Sequence, residues 1–412
     1  MLIALRRTSL NPVQRNPALT IMAANWAGYA ASAVSLVVSA RLLGASGRGA
    51  YSAILVWSMT AASVCDLSLG PALARAMTIG HRADTLRRFL PRAFAVTSLA
   101  ALLVMTVFLN TFLSRSVPNR AGIAIGLSIA PALILANWGV YFFQGLADPV
   151  RYALARMLPP VICMVLILLQ ALDHLTLDGA LASLSLGYWT VGIGSAAAAL
   201  RYLRAHKGDA SSMNLLGYGA RAHFGTLASI ANSRLDLLVL SLVVPLSEVG
   251  NYALAVSLTT PIAIVGSGLA AANFRRIGTS SSGDTAIIRS VWRRFFVPTL
   301  ALACLSGSAA FLIPHIVGHE FAAAVVPTLI LATGTVGFGA VGLGTNIFQA
   351  RGLPGLSSLL AVAAALVSAI TLLVLVPPYG IDGAAISSAV TYLLIGACCI
   401  PLTMRAYRRA GA

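Results

Sequence analysis

Long apolar runs alternate with short polar segments along the whole chain of 412 residues. Each run is close to the length that a helix needs to cross the apolar core of a bilayer, about 20 residues. The runs lie at about 20–40, 50–72, 92–113, 122–146, 157–172, 179–200, 222–244, 249–272, 295–314, 322–348, 355–376 and 383–402. This pattern predicts an all-α integral membrane protein with twelve transmembrane helices.

The distribution of positive charge tests this topology. If both termini are cytoplasmic, 23 of the 28 Arg and Lys residues fall in cytoplasmic segments. The outer segments hold Arg41, Arg48, Arg115 and Arg120, and Arg234 alone remains inside an apolar run. Cytoplasmic loops of membrane proteins carry an excess of Arg and Lys. The charges therefore agree with twelve helices and with both termini in the cytoplasm.

Composition excludes several other classes of protein. The chain is 58% hydrophobic and only 9% charged, which is too little charge to cover a water-facing surface. The net charge of +17 is divided among short segments between apolar runs, so no nucleic-acid partner is predicted. The five cysteines lie in apolar runs without a C-x-x-C motif, and no acidic residue stands between His315 and His319. We therefore predict neither a disulfide nor a metal site.

Four short motifs occur twice, in the same order, about 205 residues apart. The pairs are 49–51 with 250–252, 87–89 with 293–295, 143–149 with 348–354, and 178–188 with 382–392. We predict two six-helix repeats from them, residues 1–207 and 208–412. Because each repeat has an even number of helices, the repeats are expected to lie parallel around a central cavity. This layout is typical of alternating-access transporters.

Four segments resemble the motifs of polysaccharide-biosynthesis flippases. Residues 41–51 (RLLGASGRGAY) resemble the element between helices 1 and 2 of that family. Residues 66–75 (DLSLGPALAR) resemble the exit from helix 2, although Ser68 replaces a glycine. Residues 234–255 and 380–392 resemble helices 7 and 8 and the entry to the last helix. The family belongs to the multidrug/oligosaccharidyl-lipid/polysaccharide exporter superfamily.

The resemblance implies movement of a polyprenyl-diphosphate-linked oligosaccharide across the bacterial plasma membrane, from the inner to the outer leaflet. This movement breaks no phosphate bond, and the chain has no G-x-x-x-x-G-K-[ST] motif for ATP. We therefore expect neither an enzyme nor a cofactor. The expected partners are the lipid-linked oligosaccharide, membrane lipids, and a glycan polymerase or glycosyltransferases.

Two other functional classes remain open. One is a drug or small-molecule antiporter, either of the same superfamily or of the twelve-helix facilitator fold. Residues 80–88 (GHRADTLRR) depart from the loop that facilitators usually carry after helix 2. The other is a membrane polymerase or ligase, which needs a sizeable outer loop, whereas the predicted outer loops here are short.

Arg234 and Asp236 are the main candidates for substrate contact. A charge near the middle of a transmembrane helix normally faces the protein interior and has a function. The planar guanidinium of Arg234 can pair with two phosphate oxygens. Residues two positions apart project to different sides of a helix, so each needs a partner elsewhere, and Asn25 is a candidate for one of them. Asn232 and Arg41 are further candidates for the cavity lining. The alternative is an interhelical bridge with a purely structural role.

Asp66 is the candidate for coupling transport to an ion gradient. It lies in the second apolar run, where an unpaired carboxylate is costly and can take up a proton instead. The alternative is an acid near the cytoplasmic interface that pairs with Arg75 or with a loop arginine.

Overall fold

The computed structural model describes residues 17–113, 120–206, 214–279, 285–351 and 353–409. All regular structure in these residues is helical, so the all-α prediction is confirmed. The helices are α1 (Pro17–Cys65), α2 (Leu69–Thr78), α3 (Ala83–Phe108), α4 (Arg120–Gly145), α5 (Pro149–Ala171), α6 (Leu177–Ala205), α7 (Leu215–Val243), α8 (Leu246–Thr279), α9 (Thr285–Ala310), α10 (Ile313–Ile316), α11 (Val325–Ala350) and α12 (Pro354–Arg409). A π-helical turn, Leu109–Leu113, extends α3, and a 3₁₀ segment, His319–Ala324, precedes α11.

Helices α1 and α12 are too long for one membrane crossing. They contain 49 and 56 residues, so a straight helix would measure about 75–85 Å, more than twice the apolar core of a bilayer. Each contains one glycine with non-helical backbone, Gly44 with φ 71° and Gly380 with φ 54°. Glycine adopts positive φ at little cost because it has no Cβ. Each glycine therefore separates two helical segments of ordinary membrane-spanning length.

The described residues contain eight helices that are long and apolar enough to cross a membrane. Large apolar side chains are also exposed on them, among them Phe224 and Leu373. A water-soluble surface of this kind would be unstable, whereas lipid tails accept it. The chain is a multi-pass membrane protein.

Several helix boundaries differ from the prediction, and two of them bear on the candidate site. Helix α1 ends at Cys65, inside the predicted run 50–72, because Leu67 and Ser68 adopt positive φ before α2 begins. Helix α5 begins at Pro149 rather than near 157. The side chain of Asp148 accepts a hydrogen bond from the N–H of Arg151, and Pro149 occupies the first turn, both of which favour a helix start.

The longer α5 changes where the charges lie. Arg156 is seven residues inside this helix, about 10 Å along its axis from Pro149. The prediction that Arg234 alone lies inside a helix is therefore wrong. The apolar run did not include Arg156 because hydropathy measures side chains, whereas the cap at Asp148 determines where the backbone becomes helical.

The chain divides into two compact units. Unit 1 comprises Met1–Ser39 and Ile54–Leu227, and unit 2 comprises Ala40–Ala53 and Ala228–Ala412. Unit 1 thus includes the start of α7, and unit 2 includes the part of α1 around Gly44.

A close backbone crossing lies within unit 2. A Cβ atom added at Gly49 would overlap the carbonyl of Leu246, and one added at Gly250 would overlap the carbonyl of Ala45. The two contacts are reciprocal, because Gly49 and Gly250 are separated by the same offset as Ala45 and Leu246. Residues 45–49 and 246–250 therefore cross at a distance that only glycine permits.

Candidate functional site

A buried carboxylate lies among three helices of unit 2. Asp236 of α7 is only 6% exposed. Its carboxylate accepts hydrogen bonds from the hydroxyl of Tyr252 on α8 (2.6 Å), the hydroxyl of Ser388 on α12 (3.1 Å) and the N–H of Leu237 (2.8 Å). Burying a carboxylate is costly unless hydrogen bonds offset the loss of water. These three hydrogen bonds offset that loss, and the bonds from Tyr252 and Ser388 connect α7 to α8 and α12.

Two other predicted residues of α7 lie beside Asp236. The backbone carbonyl oxygen of Asn232 accepts a hydrogen bond from the hydroxyl of Tyr392 (2.9 Å), one turn beyond Ser388 on α12. Arg234 is half-buried, and its positive charge attracts the carboxylate of Asp236. The structure thus brings Asn232, Arg234 and Asp236 together, and their assignment to a substrate cavity stays a prediction.

The candidate coupling residue lies in unit 1, at the break between α1 and α2. The carboxylate of Asp66 accepts hydrogen bonds from the indole N–H of Trp138 on α4 and from the N–H of Gly70 (3.4 Å). Asp66 is half-buried, and it forms no ion pair with Arg75 or with any other described residue. Its environment is therefore more open than that of Asp236.

Ser68, the residue that replaces the glycine of the family motif, has a φ of 54°. This left-handed conformation is unfavourable for residues with a Cβ. Its buried hydroxyl forms a hydrogen bond with the hydroxyl of Thr226 (2.8 Å) and lies 3.3 Å from Nδ1 of His223 on α7. These contacts offset the strain, so a serine can occupy the glycine position.

The remaining predicted residues lie on α1. Asn25 is half-buried, and Arg41 is exposed, three residues before the turn at Gly44. Asn25 belongs to unit 1 and Arg41 to unit 2.

The sequence-based prediction missed a cluster of one arginine and three tyrosines in unit 1. The guanidinium of Arg156 donates a hydrogen bond to the hydroxyl of Tyr152 (3.2 Å) and lies 5.9 Å from the centre of its ring. Tyr29 of α1 and Tyr141 of α4 also lie close enough to interact electrostatically with it. Tyr141 in turn interacts with Asp66, so the cluster adjoins the break between α1 and α2.

Arg156 has no carboxylate partner among the residues that the structure describes. Neither ion pair in the described part of the chain includes it, and the side chains that interact with its charge there are the phenols of Tyr29, Tyr141 and Tyr152. The side chain is exposed, so a ligand can reach the guanidinium. An arginine inside a membrane protein normally pairs with an anion. The tyrosine hydroxyls can donate further hydrogen bonds to such an anion. The sequence signal that locates this residue is the Asp148-Pro149 helix start.

Comparison with known proteins identifies the family. The sequence profile described as "Polysaccharide biosynthesis protein" matches residues 16–265 of the chain. The protein belongs to this family. The resemblance found in the motifs is thereby confirmed, although the match says nothing about the particular substrate. No curated protein sequence matches the chain at a significant level.

Solved structures of transporters share the fold. The lipid II flippase MurJ in an inward closed conformation aligns with a TM-score of 0.72 at 10% identity, covering 95% of this chain and 90% of MurJ. An inward-facing multidrug resistance transporter of the MATE family and MOP superfamily aligns with a TM-score of 0.67 at 13% identity, covering 96% and 100%. A MOP superfamily transporter from Pyrococcus furiosus aligns with a TM-score of 0.54 at 14% identity, covering 96% of each chain. At these identities the likeness establishes the fold.

Proposed function

We propose that the protein moves a polyprenyl-diphosphate-linked oligosaccharide from the inner to the outer leaflet of the bacterial plasma membrane, for the synthesis of a surface polysaccharide. Membership of the polysaccharide biosynthesis family supports the pathway, and the flippase and transporter folds support the transport step. The protein is not an enzyme in this proposal, since the lipid-linked sugar crosses the membrane without a change of covalent bonds.

The proposal includes twelve membrane crossings in two parallel repeats. Gly44 and Gly380 divide α1 and α12 into two crossings each, while α6 and α9 add two helices of sufficient length to the apolar ones. The reciprocal crossing of residues 45–49 and 246–250 supports the repeat, because a two-fold relation between equivalent segments produces such a contact. We place both termini in the cytoplasm, on the basis of the Arg and Lys distribution.

The cluster around Arg156 is the observation that carries the proposal. A guanidinium about 10 Å inside a membrane-spanning helix, without a carboxylate partner among the described residues, provides a site for an anion. A diphosphate offers pairs of oxygen atoms that match the guanidinium fork. Tyr29, Tyr141 and Tyr152 provide hydroxyl donors, and their ring faces can pack against a sugar.

The decisive experiment follows the lipid-linked oligosaccharide in a strain that lacks the gene. We expect the intermediate to stay on the inner leaflet, out of reach of a membrane-impermeant glycosidase added to spheroplasts, while surface polysaccharide falls. The wild-type gene and Arg151→Ala should restore export. Arg151 is a matched control because it lies on the same helix and forms an exposed ion pair with Asp148 (3.6 Å), a type of pair that contributes little.

Arg156→Ala should lower export at least about tenfold, because the charged contact to phosphate is lost. Export by Arg156→Lys should lie between that of Arg156→Ala and that of the wild type, since lysine keeps the charge but not the planar guanidinium fork. Normal surface polysaccharide in the deletion strain, with no redundant transporter present, would contradict the proposed function. Equal export by Arg156→Ala and Arg151→Ala would contradict the proposed site.

A multidrug antiporter is the second candidate function. The structural likeness to a multidrug resistance transporter of the MATE family favours it. Under this alternative, a strain that lacks the gene would become sensitive to cationic drugs and would keep its surface polysaccharide. Arg156, which pairs with no carboxylate in the described part of the chain, is a poor site for a cation, and we therefore prefer the anionic substrate.

A further inference from the structure

A second basic site lies at the start of α3, apart from the Arg156 cluster. A cavity of about 460 Å³ is lined by Arg82, Asp84, Thr85, Arg88, Phe89 and Arg92. Three guanidinium groups thus converge on one cavity. Its carboxylate, Asp84, forms an ion pair with Arg87, which is not part of the lining (3.6 Å). The cavity therefore has an excess of positive charge.

An exposed apolar stripe continues from this cavity along the same face of α3. Val96, Leu99, Leu103 and Val107 are between 60% and 68% exposed. They follow Arg88 and Arg92 at intervals of three or four residues, which places all six side chains on one helix face. The helix therefore presents basic groups at its start and an apolar surface beyond them.

The length of the stripe matches one leaflet of a bilayer. Eleven residues separate Val96 from Val107, which corresponds to about 17 Å along the helix axis. Half of the apolar core of a bilayer is about 15 Å thick. A ligand that fits both features has an anionic head and acyl chains of one-leaflet length.

We infer that the cavity and the stripe together bind an anionic phospholipid of the cytoplasmic leaflet. Arg82, Arg88 and Arg92 contact its phosphate, and its acyl chain packs along Val96, Leu99, Leu103 and Val107. Arg88 and Arg92 are four residues apart on a helix, where like charges repel each other, and a bound phosphate removes that repulsion. This inference does not depend on the proposed transport function, because any multi-pass protein can bind such a lipid.

The test measures lipid binding to the full-length protein in neutral detergent by native mass spectrometry. Dioctanoyl phosphatidylglycerol is titrated, with dioctanoyl phosphatidylcholine as the neutral control lipid. Arg88→Gln with Arg92→Gln should weaken phosphatidylglycerol binding about tenfold or more, since each surface arginine contributes substantially to binding of anionic lipid. Arg201→Gln with Arg204→Gln is the matched control, because it removes two exposed arginines near the end of α6. That control should change binding less than about twofold.

Three results would overturn the inference. Equal weakening in both double variants would show attraction by general positive charge. Unchanged phosphatidylglycerol binding in Arg88→Gln with Arg92→Gln would show that the cavity is not the site. Geranylgeranyl diphosphate is titrated as a third ligand. If Arg88→Gln with Arg92→Gln loses binding of this diphosphate but keeps binding of phosphatidylglycerol, the cavity binds a lipid diphosphate instead. If the Gln double variant does not fold, two other variants replace it. Arg88→Lys with Arg92→Lys should bind phosphatidylglycerol within about threefold of the wild type, because it keeps both charges. The single Arg92→Gln should weaken phosphatidylglycerol binding about threefold.

Discussion

Units 1 and 2 each hold a carboxylate and an arginine, but in opposite environments. In unit 2, Asp236 is enclosed by hydroxyl and N–H donors, and the charge of Arg234 lies nearby. In unit 1, Asp66 is half-buried, and Arg156 has phenols around it and no ion-pair partner among the described residues. A charge whose hydrogen bonds are already satisfied connects helices, whereas one with unused capacity can take a ligand.

This difference assigns separate tasks to the two units. We expect the network around Asp236 to hold α7, α8 and α12 together. We expect Arg156 and Asp66 to take part in events that change during transport, because water, a proton or a phosphate can reach them. Substitutions of the arginine and the carboxylate in each unit test this division of tasks.

Replacing Arg234 has the largest expected effect on transport. Under our site prediction Arg234 contacts the diphosphate, so Arg234→Ala should nearly abolish export, a larger loss than the fall of about tenfold expected for Arg156→Ala. Arg234→Lys keeps the charge without the fork, so it should reduce export at a normal protein level. Export is measured by the accessibility of the lipid-linked oligosaccharide in spheroplasts. If Arg234→Ala inserts stably and exports at the wild-type rate, the anion site belongs to unit 1 alone.

Stability should separate Asp236 from Asp66. Asp236→Ala leaves the buried hydroxyls of Tyr252 and Ser388 without their acceptor, which should destabilise the fold by about 2–4 kcal/mol. Asp66→Ala leaves one side-chain donor, the N–H of buried Trp138, without its acceptor, so a smaller loss of about 1–2 kcal/mol is expected. Denaturant unfolding in detergent measures both. Asp236→Asn keeps an acceptor oxygen and is the control, with a smaller loss. A greater loss for Asp66→Ala would reverse the comparison.

Asp66 should affect energy coupling to a smaller degree. Asp66→Asn keeps the shape and an acceptor for Trp138 but cannot exchange a proton in the same way. We expect transport to fall a few-fold and to depend less on the proton gradient, as measured in vesicles with an imposed gradient. If the variant keeps the full response to the gradient, Asp66 has a structural role. In that case only Arg156 of unit 1 takes part in transport, through the substrate.

Ser68 should give the smallest change. Ser68→Gly relieves the positive φ but loses the hydroxyl contacts with Thr226 and His223, so the two effects should cancel within about 1 kcal/mol. Ser68→Ala keeps the strain and loses the contacts, so it should be less stable than Ser68→Gly. Denaturant unfolding of the two variants checks this order. The opposite order would show that the backbone at Ser68 is not strained.

The sequence predicted the helices but only part of the candidate site. Apolar runs are a property of local composition, so they predicted an all-helical membrane protein. Charged residues inside those runs then predicted Asp66, Arg234 and Asp236 as candidates. The partners of Asp236 are 16 and 152 residues away, and no local pattern connects residues at such distances. Arg156 was missed for a different reason, because hydropathy placed the start of α5 too late. Its capping signal, Asp148-Pro149, was present in the sequence.

The glycine crossing in unit 2 has a consequence for how such a chain can arise. If the halves are repeats, as we propose, an ancestral six-helix protein would have paired with a second copy of itself through this same surface. One glycine in the ancestral gene would then have permitted the close approach of both segments, since each copy presents the same segment to the other. A protein produced by duplication and fusion of that gene would have kept this contact between its halves. After fusion the two positions became independent, and Gly49 and Gly250 are now each required by the backbone of the opposite segment.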